Sequence, residues 1–422
     1  MLRESGKFFI ACFLTLFLAC FVMKAGAQIK FPVATTANNE LCTGGAFDGT
    51  NYLVSIVEES SNGASVTARI FSQDGNPLTD KIVVASSTTD YFTPVAFDGT
   101  NYLVIWQNQD LLLGRFISKT GTLIGSQFQI ASGVESIGHI GFGGGKYLFT
   151  YNKRESIYSH CYVFGKIITP NGTVGSEFQI SSGYGKDHGG LGNLAFDGTN
   201  FLVFYTEDEN DLAIIGRFVS PAGSVGREIV INSSESHSDN PCAVAFDGIN
   251  YLIVWPDEIG GYGSHQWSFF GQFIDKSGNK IGTVISINGS AIYGAIAPSI
   301  VFDGTKYLVT WSGAPGGTNW DISGRFVGKD GSFIGPEFVI DNSEGDQVGG
   351  ALMSFPNGTY FVIVNNVVLS YNEEEETLEI SGGDVYGMIK TIVPEVKGDI
   401  NNDGVVDITD VIKVLRKAIG LE

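Results

Sequence analysis

The chain has 422 residues, of which 43% are hydrophobic, and its 45 acidic side chains outnumber 25 basic ones to give a formal charge of -20. A surface so rich in carboxylates lacks the basic footprint that nucleic-acid binding requires. The 56 glycines call for many tight turns, where a backbone free to take positive φ is needed.

Residues 1–27 read as a secretory signal, with Arg3 and Lys7 at its start, an apolar core from Phe8 to Val22, and the small-residue cleavage pattern Ala25-Gly26-Ala27. The core is too short for a comfortable membrane span, and no second hydrophobic stretch reaches membrane length. The mature chain is therefore expected to begin near Gln28 and to be exported and soluble, either secreted or held in the periplasm or at the cell surface. A lipid anchor on Cys20 is the rival reading, for which Phe17-Leu18-Ala19 is a poor lead-in. Only Cys42, Cys161 and Cys242 survive signal removal. An odd, scattered trio is no disulfide framework; buried thiols are expected, one bridged pair being the alternative.

From Ala46 the chain keeps returning to one phrase, Ala-Phe-Asp-Gly-Thr-Asn-Tyr-Leu-Val. Close copies stand at Ala96–Val104, Ala195–Val203 and Ala245–Val254, and looser ones at Gly141–Leu148, Val301–Val309 and Ser354–Phe361. The seven starts are 50, 45, 54, 50, 56 and 53 residues apart, a period that marks an array of supersecondary units. An apolar run, an Asp-Gly turn and a second apolar run make a β-hairpin. A second strand pair follows, Leu113–Ile117 and Ile124–Ile130 around Lys119-Thr120-Gly121, and recurs within Ile215–Ile231 and Ser323–Ile340. Each unit is thus predicted to hold four antiparallel strands.

The two ends of the array fit each other. Ile29-Lys30-Phe31-Pro32-Val33-Ala34-Thr35 reads as a fourth strand with no first three, while the last unit supplies Ala351–Phe355, Tyr360–Asn365 and Asp384–Lys390 and then stops. Joining the deficits closes the array and leaves no terminal edge. Four-stranded units repeated radially describe a β-propeller, so the expected fold is all-β: a seven-bladed propeller over 28–392, closed by its N-terminal strand. An open solenoid would explain the period but not the matched deficits. On these repeats the chain resembles secreted bacterial propeller proteins, a resemblance that implies a fold and leaves the activity open.

The repeated Asp48, Asp98, Asp197, Asp247 and Asp303 sit in Asp-Gly turns, where Asp hydrogen-bonds its own backbone. They are read as turn residues rather than as a ring of catalytic or calcium-binding carboxylates. Trp106, Trp255 and Trp311 close second strands and are read as core. The first-to-second and third-to-fourth turns are short and belong on one face of a propeller. The second-to-third loops and unit-to-unit connections belong on the other and are read as long and variable, as binding faces on rigid scaffolds are. The candidate ligand face comprises Glu207, Asp208, Asp211, Asp257, Glu258, Tyr262, His265, Trp267 and Trp320, with Glu209, Tyr158 and Tyr184 nearby. His139, His160, His188, His237 and His265 all fall on that predicted face without metal-ligand spacing. Carboxylates among aromatics suit a carbohydrate subsite and would also serve glycoside hydrolysis or a protein-docking face. The run Glu373–Glu376 reads as a solvated loop tip.

After a linker at 393–398, residues 399–422 carry the sharpest motif. Asp399, Asn401, Asp403, Asp407 and Asp410 stand at positions 1, 3, 5, 9 and 12 of a loop with Gly404 at 6 and the Val405 carbonyl at 7. That spacing wraps one hard cation, Ca²⁺. An amphipathic helix follows, with Val411, Ile412, Val414, Leu415 and Ile419 apolar and Gly420 as stop. Loop and helix resemble one repeat of a type I dockerin. The resemblance implies calcium ligation by those residues and docking, through Ile408 and Thr409, to a cohesin-like protein or cell-surface scaffold. Dockerins carry two such repeats and this chain has one, and a lone helix of this length is marginal in water.

The expected function is a secreted, non-catalytic binding or display module that takes a glycan or protein on its variable face, with the tail as attachment element. The competing class is an enzyme, a hydrolase of O-glycosyl bonds or a polysaccharide lyase acting through the same face.

Overall fold

The computed structural model describes residues 28–61, 63–154, 161–182, 191–207, 213–232, 243–259, 264–315, 319–354, 358–372 and 377–391, with Lys413 and Arg416. The signal reading, the linker and the calcium loop lie outside these residues; Lys413 and Arg416, from the predicted tail helix, are helical. Gln28–Lys390 forms one compact unit. No helix among the described residues is long and apolar enough to cross a membrane.

The described chain is mostly strand, arranged in repeated antiparallel groups of four. After β1 (Gln28–Ala34), unit one holds β2 (Asn39–Phe47), β3 (Asn51–Ser60), β4 (Gly63–Ser72) and β5 (Ile82–Ala85). Unit two holds β6 (Val95–Phe97), β7 (Asn101–Asn108), β8 (Leu111–Ser118) and β9 (Leu123–Ser132). Unit three holds β10 (Ser136–Gly143), β11 (Lys146–Arg154), β12 (Cys161–Ile168) and β13 (Phe178–Gln179). Unit four holds β14 (Leu191–Phe196), β15 (Phe201–Glu207), β16 (Ala213–Val219) and β17 (Val225–Asn232). Unit five holds β18 (Ala243–Phe246), β19 (Asn250–Glu258), β20 (Gln266–Asp275) and β21 (Lys280–Ser286). Unit six holds β22 (Ile292–Phe302), β23 (Lys306–Ala314), β24 (Asp321–Gly328) and β25 (Phe333–Asp341). The last unit has β26 (Asp346–Ser354), β27 (Thr359–Asn372) and β28 (Thr377–Thr391), and β1 pairs antiparallel with β28, Gln28 opposite Lys390 and Phe31 opposite Gly387.

The first strands lie against one another in chain order, from β2 and β6 round to β26, which lies against β2. Glycine makes that close approach feasible: a Cβ at Gly44 would fall 1.8 Å from the Thr93 carbonyl, and one at Gly350 2.3 Å from the Cys42 carbonyl. Apolar clusters fill the spaces between units. One joins Cys42, Tyr52, Val54 and Phe71 of unit one to Phe361, Ile363, Val385 and Ile389 of the last unit, with Val33 of β1 among them. Trp106, Trp255 and Trp311 are buried core residues, as their strand-closing positions predict. Cys42 and Cys161 are buried thiols on units one and three; burial pushes the Cys42 thiol up to about 12, against the smaller lowering effect of a backbone hydrogen bond with Gly44.

The repeated turn aspartates hold their own turns and also meet the next unit. Asp48 Oδ1 accepts from the backbone N–H of Thr50 and Asn51 at 2.8 and 2.7 Å, and Asp98, Asp197, Asp247 and Asp303 repeat the arrangement. From the following unit a tyrosine faces each carboxylate, and burial together with that negative charge pushes the phenols of Tyr102, Tyr147, Tyr251, Tyr307 and Tyr360 up. Lysines of the third-to-fourth turns add a second tie. Lys119, Lys276 and Lys329 donate to the carbonyls of Asp48, Asp197 and Asp247 and lie over the rings of Phe97, Phe246 and Phe302.

Between units three and four all three partners change together. Gly143 replaces the aspartate, Phe201 the tyrosine and Pro221 the lysine. A Cβ at Gly143 would sit 2.2 Å from the Phe196 ring, and one at Gly144 2.5 Å from Pro221. A buried carboxylate without its partners is costly, so an apolar joint replaces the polar one as a set.

One expectation needs correction. Second-to-third connections are not long in every unit: β3 passes to β4 through 61–62, and β7 to β8 through Gln109 and Asp110, Gln109 taking φ 57° to make the turn. Beyond the expectation of four antiparallel strands per unit, two pairs of adjacent units also share strand pairings. β20 runs on to pair with β22, Trp267 opposite Ile292, and β28 reaches β2 where Gly383 opposes Glu40. At both places the strands outlast the repeat pattern and use spare backbone groups on a neighbour.

Candidate functional site

The longer connections include 86–94 between units one and two, and 155–160, 180–190, 208–212, 233–242 and 259–265 in units three to five. Of the candidate face, Asp208, Asp211 and Tyr262 lie outside the described residues, as do His160, His188 and His237, and Glu207 is placed only as the end of β15. Asp257, Glu258, His265, Trp267 and Trp320 are described, and the structure brings the last four together where units five and six fuse.

The fusion itself builds this corner. Glu258 ends β19 opposite Trp267 on β20, and the preceding residue, Gln266, which opens β20, pairs with Tyr293 of β22. Glu258 Oε1 accepts from the His265 N–H at 2.6 Å and the Ser264 hydroxyl at 3.2 Å. A carboxylate read as a ligand group therefore staples its own loop. That staple holds His265 in the left-handed region at φ 54°, and the Gly294 N–H donates to the His265 carbonyl at 3.1 Å. The imidazole then lies 5.7 Å from the Tyr293 ring, tilted by 51°. His265 is exposed and Tyr293 is 47% exposed. Asp257 stands opposite the buried Ser268.

Trp320 is not an exposed platform. It is 8% exposed, its ring fills the space beside Gly294, and its backbone N–H donates to Asp346 Oδ1 at 3.0 Å. Trp267 is half-buried and packs on the apolar cluster of units five and six. Both indoles support the surface on which the His265–Tyr293 pair stands. Beside Trp320, burial and the charge of Asp341 push the Asp321 carboxyl up. Tyr293 is not among the candidates named from the sequence, although it stands just before the sixth repeat, in a stretch of the kind expected on the variable face; the available signal was a large aromatic beside Gly294.

His139 is misplaced by the sequence reading as well. It lies within β10, not in a loop, and lines a central cavity of about 380 Å³ among the first strands. Its ring meets Phe92 edge-on at 4.9 Å. Gly44, Gly349, Ala243 and Pro298 line the same cavity, and Thr43, Asn193 and Ser299 supply its polar groups. Among the described residues no three His, Cys, Asp or Glu side chains converge to hold a metal ion.

No protein-family model matches the chain, and no curated protein matches it. Among solved structures, the Dos1 propeller is similar over 88% of this chain and 95% of its own, at 9% identity and a TM-score of 0.50. The acylaminoacyl peptidase of Pyrococcus horikoshii matches at 12% identity and a TM-score of 0.49, covering 82% of this chain and 52% of that one. This chain thus spans about half the length of that peptidase. The Aleuria aurantia lectin, a six-bladed propeller, matches at 14% identity and a TM-score of 0.42, over 75% of this chain and 100% of the lectin. At such identities the likeness concerns the fold alone, which is a β-propeller of repeated antiparallel four-stranded sheets.

Proposed function

We propose that the chain is an exported, closed seven-bladed propeller acting as a non-catalytic binding module, with a glycan or protein taken at the corner of units five and six. Closure is supported by β1, which pairs with the last unit; export rests on the signal-like composition of residues 1–27. The binding reading rests on the exposed His265–Tyr293 pair, held by a carboxylate staple over half-buried Trp267 and buried Trp320. Exposed aromatic faces on a rigid support suit the apolar face of a sugar ring or a partner's side chain.

Retention on a polysaccharide panel without turnover is the expected result. Tyr293→Ala is expected to weaken retention about fivefold, since losing one aromatic contact costs on the order of 1 kcal/mol. Release of reducing sugar that disappears in Asp257→Asn would instead establish the glycoside hydrolase reading, and unaltered retention by Tyr293→Ala would remove the site.

The tail reading rests on the spacing of Asp399, Asn401, Asp403, Asp407 and Asp410 around Gly404. In this reading it binds calcium and fastens the propeller to a cohesin-like or other surface partner. Calorimetry should show calcium heat for the full chain and at least a tenfold weaker site in Asp403→Ala, an effect of roughly 1.4 kcal/mol; equal heats would dismiss the metal.

A further inference from the structure

The outer flank of unit three lacks a device found in units two and six. In unit two, Arg115 on β8 reaches back to unit one and donates from Nη1 to the Val84 carbonyl at 3.1 Å. In unit six, Arg325 on β24 makes the same reach to the Ile287 carbonyl of unit five, at 2.7 Å. Aligning Gly114-Arg115-Phe116 and Gly324-Arg325-Phe326 with Gly165-Lys166-Ile167 puts a lysine at this position in unit three, and the carbonyl it would reach is that of Ile130. An ammonium lacks the planar fork of a guanidinium and cannot span the same groove. Among the described residues, the Lys166 ammonium meets the charge of Glu177 and donates no hydrogen bond to Ile130.

A second departure widens the gap. The fourth strand of unit three is reduced to Phe178–Gln179, whereas β9 and β17 run over Leu123–Ser132 and Val225–Asn232. Val174 keeps an isolated bridge to Ile168 and Gly175 bonds the Ile167 carbonyl at 2.8 Å, but Ser176 and Glu177 pair with no strand before Phe178 rejoins opposite Gly165. What remains is a cavity of about 290 Å³ between Gln129–Ser132 on one side and Lys153, Lys166 and Glu177 on the other.

The charges in this cavity do not cancel. Glu177 accepts from the Tyr151 hydroxyl at 2.5 Å and from Lys153 Nζ at 3.0 and 3.3 Å. Burial pushes its carboxyl up, but these bonds and the two lysine charges together hold it below its ordinary value. One carboxylate, already engaged, thus faces two ammonium groups in a chain whose formal charge is -20. A locally positive, polar recess on an acidic protein attracts an anion that the surrounding surface repels.

We propose that this recess is an oxyanion site that takes a carboxylate or sulfate group, held by Lys166 with Lys153 alongside. The site is independent of the corner formed by units five and six. The test is calorimetric titration of the full chain with sodium sulfate and with sodium glucuronate at constant ionic strength. Wild type should bind at least one of them; tighter binding of glucuronate would mean that a sugar ring adds to the oxyanion contact, and equal binding that the oxyanion alone is read. Lys166→Arg keeps the charge but lets a guanidinium fill the groove as Arg115 does, so binding should fall at least tenfold while the thermal midpoint holds or rises. Glu177→Gln removes the competing carboxylate and should tighten binding severalfold. Failure of wild type to bind either anion, or Lys166→Arg binding as wild type does, would overturn the proposal.

Discussion

Removal of residues 28–34 is expected to abolish cooperative folding of the propeller. β1 completes the last unit, with Phe31 placed against Gly387, Phe71 and Phe361 and Val33 in the apolar cluster shared with unit one. It also reaches unit six: Lys30 Nζ bonds Asp341 Oδ2 at 2.8 Å and Ser343 Oγ at 2.7 Å, and lies over the Tyr386 ring. Burial of Phe31 and Val33 is worth roughly 1.5–3 kcal/mol each, and each ladder hydrogen bond a net of about 1 kcal/mol. The sum is comparable with the 5–15 kcal/mol by which domains of ordinary stability resist unfolding, roughly speaking. Truncation would also bare the edge of β28, a long strand and an aggregation hazard. Circular dichroism melts should show a broad, early transition for the truncated chain, restored by adding a peptide of residues 28–38. Phe31→Ala is the milder form, expected to cost about 3 kcal/mol. A truncated chain that melts as the full chain does would show that the ring does not depend on β1.

The repeat, the two hairpins of each unit and the structural role of the turn aspartates were legible because each is local. Asp48 bonds to backbone two and three residues away, and an Asp-Gly turn between apolar runs announces that geometry. The tight link between β3 and β4 was legible too, in Asn62-Gly63, a hairpin dipeptide that the expectation of long loops passed over. What could not be read was which copy faces which. The joint substitution of Gly143, Phe201 and Pro221 for Asp, Tyr and Lys is meaningless until one unit's turn is known to touch the next unit's second strand. The same holds for Lys166, whose interest lies in the carbonyl it fails to reach. At the candidate corner, Trp267 and Trp320 were picked for their chemistry, but burial depends on the β20–β22 pairing, which begins only where the repeat has run out.

The joint between unit six and the last unit is where the polar tie is strongest, and Asp303→Ala there is expected to cost about 3 kcal/mol, as loss of one partner from a buried ionic network does. Asp303 Oδ1 accepts from the N–H groups of Thr305 and Lys306 and from the Thr305 hydroxyl, while Oδ2 takes Lys306 Nζ at 2.8 Å and the Tyr360 hydroxyl at 2.6 Å. Its side chain is 2% exposed. Burial alone would push the carboxyl up, but the bonds from Lys306, Tyr360 and Thr305 outweigh it and hold the group well below its ordinary value. A carboxyl that binds its proton less readily when folded stabilises the fold fully above its unfolded pKa, which is about 3.9. That contribution fades as the pH falls through the lower folded value. Denaturant melts should therefore give a constant deficit for Asp303→Ala from pH 5 to pH 8, in the range of about 3 kcal/mol, and a shrinking one below about pH 4. Tyr360→Phe keeps the ring against Phe326 and removes only the hydroxyl, so its deficit should be nearer 2 kcal/mol, roughly one hydrogen bond to a charged group. A deficit for Asp303→Ala that stays unchanged down to pH 2.5 would mean that its carboxylate charge does not hold this joint, and that the turn conformation alone does.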